Sequence, residues 1–507
     1  MILYALLKVL YNIWWKPIHL EKLLRHQGIK GTSYKLLRGD LDEIKRSTIE
    51  AQSKPMSLNN HEIMPRVFPF FHDLMQKYGR VCMTWIGTKP RVIIGEPELI
   101  RMILADKNND FVKPKLANPL AGFLLVGVAS LEGDRWAKRR QKITHAFHLD
   151  KLKAMVPTFS MSCSRLIEQW MRLSSNCGEE GCEIDVAPEF QRFAADVIAR
   201  TAFGSSYEEG KKLFELQKQQ IPLVFEAYYN IYIPGFRFIP TKKNRKRYKL
   251  ENEITAILRD MIRKREEDHL SQTNRGSNLL DLLLLNHSKE ELSENGLTIE
   301  EIIDECKLFY FAGQETTANL LTWTIIMLAM HPIWQQRARE EVLHMCGNES
   351  NPHFDAINRF KIIPMILNEV LRLYPSLCNT YRHSERETTI GGITIPGGVE
   401  IFLLMLSLHH DSKYWGDDVA EFKPERFAKG VAKSSKDDQD EIAFYPFGWG
   451  PRICLGQNFA MIEAKIGLAM ILQHFSFELS PSYTHAPYSV ISLKPQHGAP
   501  IIFHRLS

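Results

Sequence analysis

The ten residues Phe447-Gly448-Trp449-Gly450-Pro451-Arg452-Ile453-Cys454-Leu455-Gly456 decide how the rest of this chain is read. They set one cysteine, Cys454, among three glycines, a proline and an arginine, directly before an apolar helical pattern that starts near Gln457. A sulfur just ahead of a helix N-terminus lies in positive potential and near backbone N–H donors, which favours the anionic thiolate. Glycine lets the backbone turn tightly and approach a large flat ring where a Cβ would clash. Arg452 offers a charge-assisted partner for an acidic group on such a ring. Taken alone, the same residues also describe a buried cysteine in an ordinary loop.

Composition narrows the class without choosing the chemistry. The chain has 507 residues, 44% apolar and 24% charged, as a well-packed globular protein does. A net charge of +5 is too mild to imply nucleic acid, although it leaves room for a local basic face toward an acidic partner. Eight cysteines, at 82, 163, 177, 182, 306, 346, 378 and 454, form no CxxC and no regular framework, which favours free thiols in a reducing compartment. A pairing of Cys177 with Cys182 stays open.

Residues 1–15 are mostly apolar, interrupted by Lys8 and Asn12. A bilayer span needs ~20 residues, so this membrane anchor is short, either an interfacial helix or an incomplete span. Lys16, Lys22 and Arg25 follow it, which places the body of the protein on the cytosolic side. The sequons at Asn286 and Asn348 then go unmodified. Residues 16–60 read as a linker and amphipathic segment, and 61–507 as the catalytic domain.

Further on, 81–86 and 91–95 read as a hairpin across a turn at 87–90. Residues 108–130, rich in Pro, Gly and small apolar residues, suit a flexible substrate-facing loop. Residues 133–147 read as a basic amphipathic helix in which Trp136 and Arg140, four apart, share one face. Helices follow at 186–203 and within 213–270, with an aromatic stretch at 224–240, a basic run at 242–249 and a polar linker at 271–277. The longest helical pattern is 298–330, about 50 Å at 1.5 Å per residue. Its middle reads Ala312-Gly313-Gln314-Glu315-Thr316-Thr317. An acid and two hydroxyls buried there cost several kcal/mol unless partnered, so they ask for a function or for a break between two helices. Thr316 can bond the carbonyl of Ala312, and Gly313 further weakens the ladder, which together predict a groove in the helix. Helices at 361–374 and 457–474 and short strands at 393–405 and 477–503 complete the pattern.

Phe447-x-x-Gly450-x-Arg452-x-Cys454-x-Gly456 resembles the ligand loop of the cytochrome P450 enzymes, and the other motifs occur in that family's order. The resemblance implies a mainly α fold with small β-sheets, with haem b between a long central helix and the cysteine ligand loop. It implies Cys454 as axial thiolate to the iron and Phe447, Arg452, Trp136, Arg140 and Arg382 around the haem, the three last-named at its propionates. It makes Glu315 and Thr316 the acid–alcohol pair of oxygen activation, and Glu369, Arg372 and Arg426 a buried structural network. Asn379, Thr380 and Tyr381 would make the pocket wall polar. Gly31-Thr32-Ser33 stands where endoplasmic-reticulum members usually carry a proline-rich hinge.

The resemblance is nearest to the plant P450 family numbered seventy-two. It rests on Gly39-Asp40-Leu41-x-Glu43, Lys89-Pro90-Arg91-Val92-Ile93-Ile94, the ligand loop itself, and Pro481-Ser482-Tyr483-Thr484-His485-Ala486-Pro487. It implies an NADPH-cytochrome P450 reductase as partner, met by Lys138, Arg139, Lys142 and Lys465, and an endoplasmic-reticulum membrane location. The implied substrate is a small apolar terpenoid, a triterpenoid or iridoid, with a gibberellin- or brassinosteroid-inactivating hydroxylase as the alternative. An oxygen-independent isomerase or dehydratase would share the cysteine loop but need no reductase, and a haem-binding scaffold would give no product. No Ser-His-Asp grouping, HExxH or phosphate loop supports other enzyme classes, and His409-His410-Asp411 reads as loop chemistry.

Overall fold

Val81–Ile86 and Lys89–Ile94 pair antiparallel, with Val81 opposite Ile94 and Ile86 opposite Lys89. The turn is therefore only Gly87-Thr88, with Gly87 at φ +63°, tighter than the four residues expected. Pro90 can sit inside the strand because pairing to the next strand, Glu400–Leu403, begins at Arg91, so its missing N–H removes no bond on that side. This computed structural model describes residues 2–506 apart from 117, 125, 176, 179–180, 230–231, 234, 272–277, 289–295, 348–350 and 435–441. The Asn348 sequon and the linker at 272–277 lie outside the described residues. Helices dominate, with sheets of six, three, two and two strands among the described residues, which is the mainly α architecture expected.

The chain forms two compact units, each closed from three stretches. The first comprises Met1–Pro114, Pro364–Cys454 and Ser482–Gly498 and holds the six-stranded sheet. One buried hydrogen-bonded chain takes a residue from each stretch: His61 Nδ1 lies 2.7 Å from the Tyr374 hydroxyl, which lies 3.2 Å from His485 Nε2. Arg66 adds a second tie, donating to the carbonyls of Ala51, Lys54 and Pro487 and to Gln496.

The N-terminal segment is helical on both sides of residue 15. Helix runs from Ile2 to His26, with a π-turn at Tyr11–Trp15. Pro17 lacks the N–H that would meet the Ile13 carbonyl four residues back, and the Tyr34 hydroxyl donates to that carbonyl instead, at 2.6 Å. Downstream, Leu20 and Leu24 are buried, whereas Leu3, Tyr4, Leu6, Leu7, Leu10 and Trp14 are all exposed. Among the described residues no helix is long and apolar enough to cross a membrane.

The first unit is locked by Arg372 in the helix Ile362–Leu373. Its guanidinium grips Glu369 bidentately, at 2.8 Å for both bonds, and donates to the carbonyls of His409, Val419 and Glu421. All five of its N–H donors are thus used inside the protein. Arg426 Nε stands 3.5 Å from Glu369 as an ion pair, while its Nη atoms reach the carbonyls of Trp415 and Asp418. Against the upward push of burial, Lys423 and Arg426 hold the Asp418 carboxyl down to about 2. His409, read from sequence as loop chemistry, is wholly buried, and its Nε2 accepts the Tyr445 N–H at 3.0 Å, just before the ligand loop.

The second unit comprises Lys115–Ile363, Leu455–Pro481 and Ala499–Ser507. Its three-stranded sheet draws one strand from each stretch: Cys182–Asp185, Phe475–Leu479 and Pro500–Arg505. Ile299–Met330 is one unbroken helix, opened by a capping box in which Thr298 and Glu301 satisfy each other's backbone N–H groups. Gly313 does not interrupt that helix. A Cβ there would fall 2.8 Å from Ile198 of the helix Val186–Phe203, so the glycine serves close packing of two helices.

Two outcomes follow from these contacts. Gly313→Ala should destabilise by about 1 kcal/mol, overpacking outweighing the gain in helix propensity. Combined with Ile198→Ala it should cost about 1 kcal/mol less than the sum of the two single changes, a coupling that a denaturation double-mutant cycle measures. Burial first, then the charges of His410 and Arg372, hold the His409 imidazole well below its ordinary range. The folded state thus stays neutral there while the unfolded chain takes up a proton below about pH 6.5, so stability falls as pH drops. His409→Gln, which keeps an acceptor that does not titrate, should lose roughly 1–2 kcal/mol less than wild type between pH 6.5 and 5.

Candidate active site

Of the residues singled out by sequence, Cys454, Phe447, Arg452, Arg382, Glu369, Arg372 and Arg426 belong to the first unit, and Trp136, Arg140, Glu315 and Thr316 to the second. In the first unit the ligand loop is closed by three short backbone bonds. Cys454 N–H donates to Phe447 O at 2.8 Å, Ile453 N–H to Gly450 O at 3.1 Å, and Gly448 N–H to Tyr445 O at 3.1 Å. Gly448 and Gly450 take the left-handed conformation, φ +74° and +70°. They do so for different reasons. A Cβ on Gly450 would lie 2.3 Å from the Leu104 carbonyl oxygen, so that residue lets the loop press onto the end of the helix Pro97–Leu104. The space beside Gly448 is open.

None of the eight cysteines is in a disulfide, and Cys454 alone is exposed. Burial pushes the thiols of Cys82 up to about 12 and Cys182 up to about 11, and raises those of Cys163, Cys306, Cys346 and Cys378. Those six sulfurs resist ionisation, and of the other two Cys177 lies against the Leu173 carbonyl and the Cys182 sulfur, whereas Cys454 is exposed on the ligand loop. Arg452 ends the 3₁₀ turn Gly450–Arg452 and is half-buried. Arg382 is buried in the strand Thr380–Ser384, where its Nη1 donates to the Tyr381 carbonyl at 2.8 Å and to Thr380 Oγ1 at 3.3 Å. The Tyr381 ring packs between Phe402, at 4.9 Å, and the Arg91 guanidinium, at 4.8 Å, which corrects its expected part in a polar wall.

In the second unit, the helix Gly133–Thr144 sets the Arg140 guanidinium 5.9 Å from the Trp136 ring centre, both side chains half-buried. Between them Arg139 turns inward. It pairs with Glu305 at 2.8 Å and Glu301 at 2.7 Å, and Glu305, wholly buried, also accepts the Val128 N–H at 3.0 Å. Burial raises the Glu305 carboxyl, opposed by the Val128 bond and by Arg139. Arg139 is therefore removed from the expected reductase-facing set. Lys465 is half-buried, and desolvation lowers its ammonium. Lys138 is exposed and Lys142 half-buried.

Thr316 Oγ1 donates to the Ala312 carbonyl at 2.8 Å, the bond its position four residues on requires. Glu315 accepts from Gln191 Nε2 at 3.2 Å, and Gln314 donates to the Gln191 carbonyl at 3.3 Å. Residues 311–316 are all partly exposed within an otherwise largely buried helix. Sequence reading missed Glu305 and Gln191 and took His409 for loop chemistry. Glu305, like Glu315, is an acid in an apolar helical pattern and carries the same signal in sequence. Gln191 and His409 carry no such signal.

The donor set of the first unit fits haem: one exposed sulfur on a loop with open space at Gly448, and arginines on short stiff elements. The cytochrome P450 family model matches residues 52–497. Cytochrome P450 CYP72A616 of Paris polyphylla is 50% identical over 97% of this chain and 95% of its own. The 11-oxo-beta-amyrin 30-oxidase of Glycyrrhiza uralensis is 47% identical over 98% and 94% of the two chains, and the echinocystic acid 23-monooxygenase of Saponaria officinalis 46% over 98% and 96%. The chain belongs to the cytochrome P450 family and is an oxidoreductase of the monooxygenase class, whose cofactor is haem held through a cysteine thiolate.

Proposed function

We propose that this enzyme oxidises a plant terpenoid, a triterpenoid first of all, using O2 and electrons from an NADPH-cytochrome P450 reductase. The observation that carries the substrate class is the near full-length similarity to two relatives named for triterpenoid oxidation. When bound, haem supplies the oxygen chemistry: two electrons and two protons place one atom of O2 in a C–H bond and release the other as water. Cys454 is the sulfur ligand, with Phe447 closing its loop. Arg382, Arg452, Trp136 and Arg140 hold the propionates by charge-assisted bonds. Glu315, oriented by Gln191, and Thr316 move protons to the oxygen side. Glu369, Arg372 and Arg426 keep the ligand loop's support rigid. The exposed apolar helix at the N-terminus supports a seat at the endoplasmic-reticulum membrane with the body in the cytosol.

Microsomes containing the enzyme and a reductase, supplied with triterpenes, iridoids and gibberellins, should yield an oxygenated triterpenoid. Product from a gibberellin alone would turn the assignment to hormone inactivation, and turnover without NADPH would turn it to isomerase chemistry. Cys454→Ser should abolish the long-wave Soret band of the reduced carbon monoxide complex, and a surviving band would remove Cys454 as ligand. Reversing Lys138 and Lys142 to Glu should raise the reductase concentration for half-maximal rate by about 3- to 10-fold, and an unchanged value would dismiss this docking face.

A further inference from the structure

Glu463 lies in the helix Gln457–His474, which follows the ligand loop in sequence. Its side chain is wholly buried, and neither carboxyl oxygen has a hydrogen-bond partner in full geometry among the described residues. Among the described residues no cation acts on it, and the polar side chain that meets it is the hydroxyl of Thr317, 2% exposed. An unpaired carboxylate in such a place costs several kcal/mol, so the group stays a neutral acid with one O–H to donate and one carbonyl oxygen to accept. Buried polar atoms left over in this way are met by ordered water.

The packing around it is close and in register. One turn beyond Glu463, a Cβ on Gly467 would come 3.5 Å from Leu321 Cδ1 and 3.3 Å from Phe193. Leu321 is in turn one helical turn beyond Thr317, so the two helices run against each other along Glu463/Gly467 and Thr317/Leu321. Thr317 directly follows Glu315 and Thr316. A slide or rotation of the long helix at Thr317 would carry both side chains with it.

We propose that Glu463 is a positioning residue for oxygen activation: its carboxyl holds the Thr317 hydroxyl, and a buried water meets its other oxygen, so that the helix after the ligand cysteine sets the register of Glu315 and Thr316. The inference rests on the proton-delivery reading of that pair. Glutamine keeps both hydrogen-bonding functions without an ionisable proton, whereas leucine keeps only the bulk.

The test uses the haem-loaded, full-length enzyme with reductase, comparing Glu463→Gln, Glu463→Leu, Thr317→Val and Thr316→Ala. In the resting protein, amide hydrogen exchange over 312–320 should rise about threefold or more in Glu463→Leu and Thr317→Val and stay within about twofold of wild type in Glu463→Gln. In turnover, product formed per NADPH should fall about threefold or more in the first two, the remaining electrons reducing O2 to hydrogen peroxide, while the carbon monoxide band stays intact. Wild-type exchange and coupling in Glu463→Leu or Thr317→Val, or Glu463→Gln as impaired as leucine, would overturn the proposal. Should Glu463→Leu fail to fold, the Gln and Val arms decide it. Unimpaired coupling in Thr316→Ala would instead overturn the proton-delivery reading, leaving the exchange result to judge Glu463.

Discussion

A guanidinium with no water left to bond organises the first unit. Burying Arg372 and Glu369 together removes two hydration shells, a cost that their mutual attraction offsets only when the remaining donors are met. Here they are met by carbonyls at 409, 419 and 421, a stretch with little regular structure of its own. That stretch cannot rearrange without stranding a charge. Its rigidity passes to the ligand loop through His409, which receives the Tyr445 N–H.

The second unit solves a different problem, how to keep acids inside a packed helix. Ile299–Met330 carries Glu305, Glu315 and Thr316 among buried apolar residues, and each polar group is handled differently. Glu305 is held by Arg139 and a backbone N–H, Glu315 by a neutral amide from Gln191, and Thr316 by its own helix. A cation beside Glu305 fits a structural tie. The amide beside Glu315 orients its carboxyl.

The glycines show why a residue type read alone under-determines its purpose. Gly448 and Gly450 both need the left-handed backbone, yet one faces open space and the other a carbonyl it could not otherwise approach. Gly313 looked like a weak point in a helix and is instead a seat for Ile198. Periodicity describes one helix at a time, whereas the partner that fills a missing Cβ comes from another.

The order of residues was enough for the long helix, for a hairpin at 81–86 and 91–95 whose turn is shorter than expected, and for the cysteine loop, because each is written in local spacing and backbone chemistry, whereas the fold class came from the resemblance to the cytochrome P450 enzymes. It was also enough to bring Glu369 to Arg372, three apart on one helix. Tertiary structure alone decided which arginine of 133–144 turns inward, that Lys465 is half-buried, and that Tyr381 packs on Arg91. Burial is a property of what arrives from elsewhere in the chain, and a basic side chain reads the same in sequence whether it meets water or a buried acid.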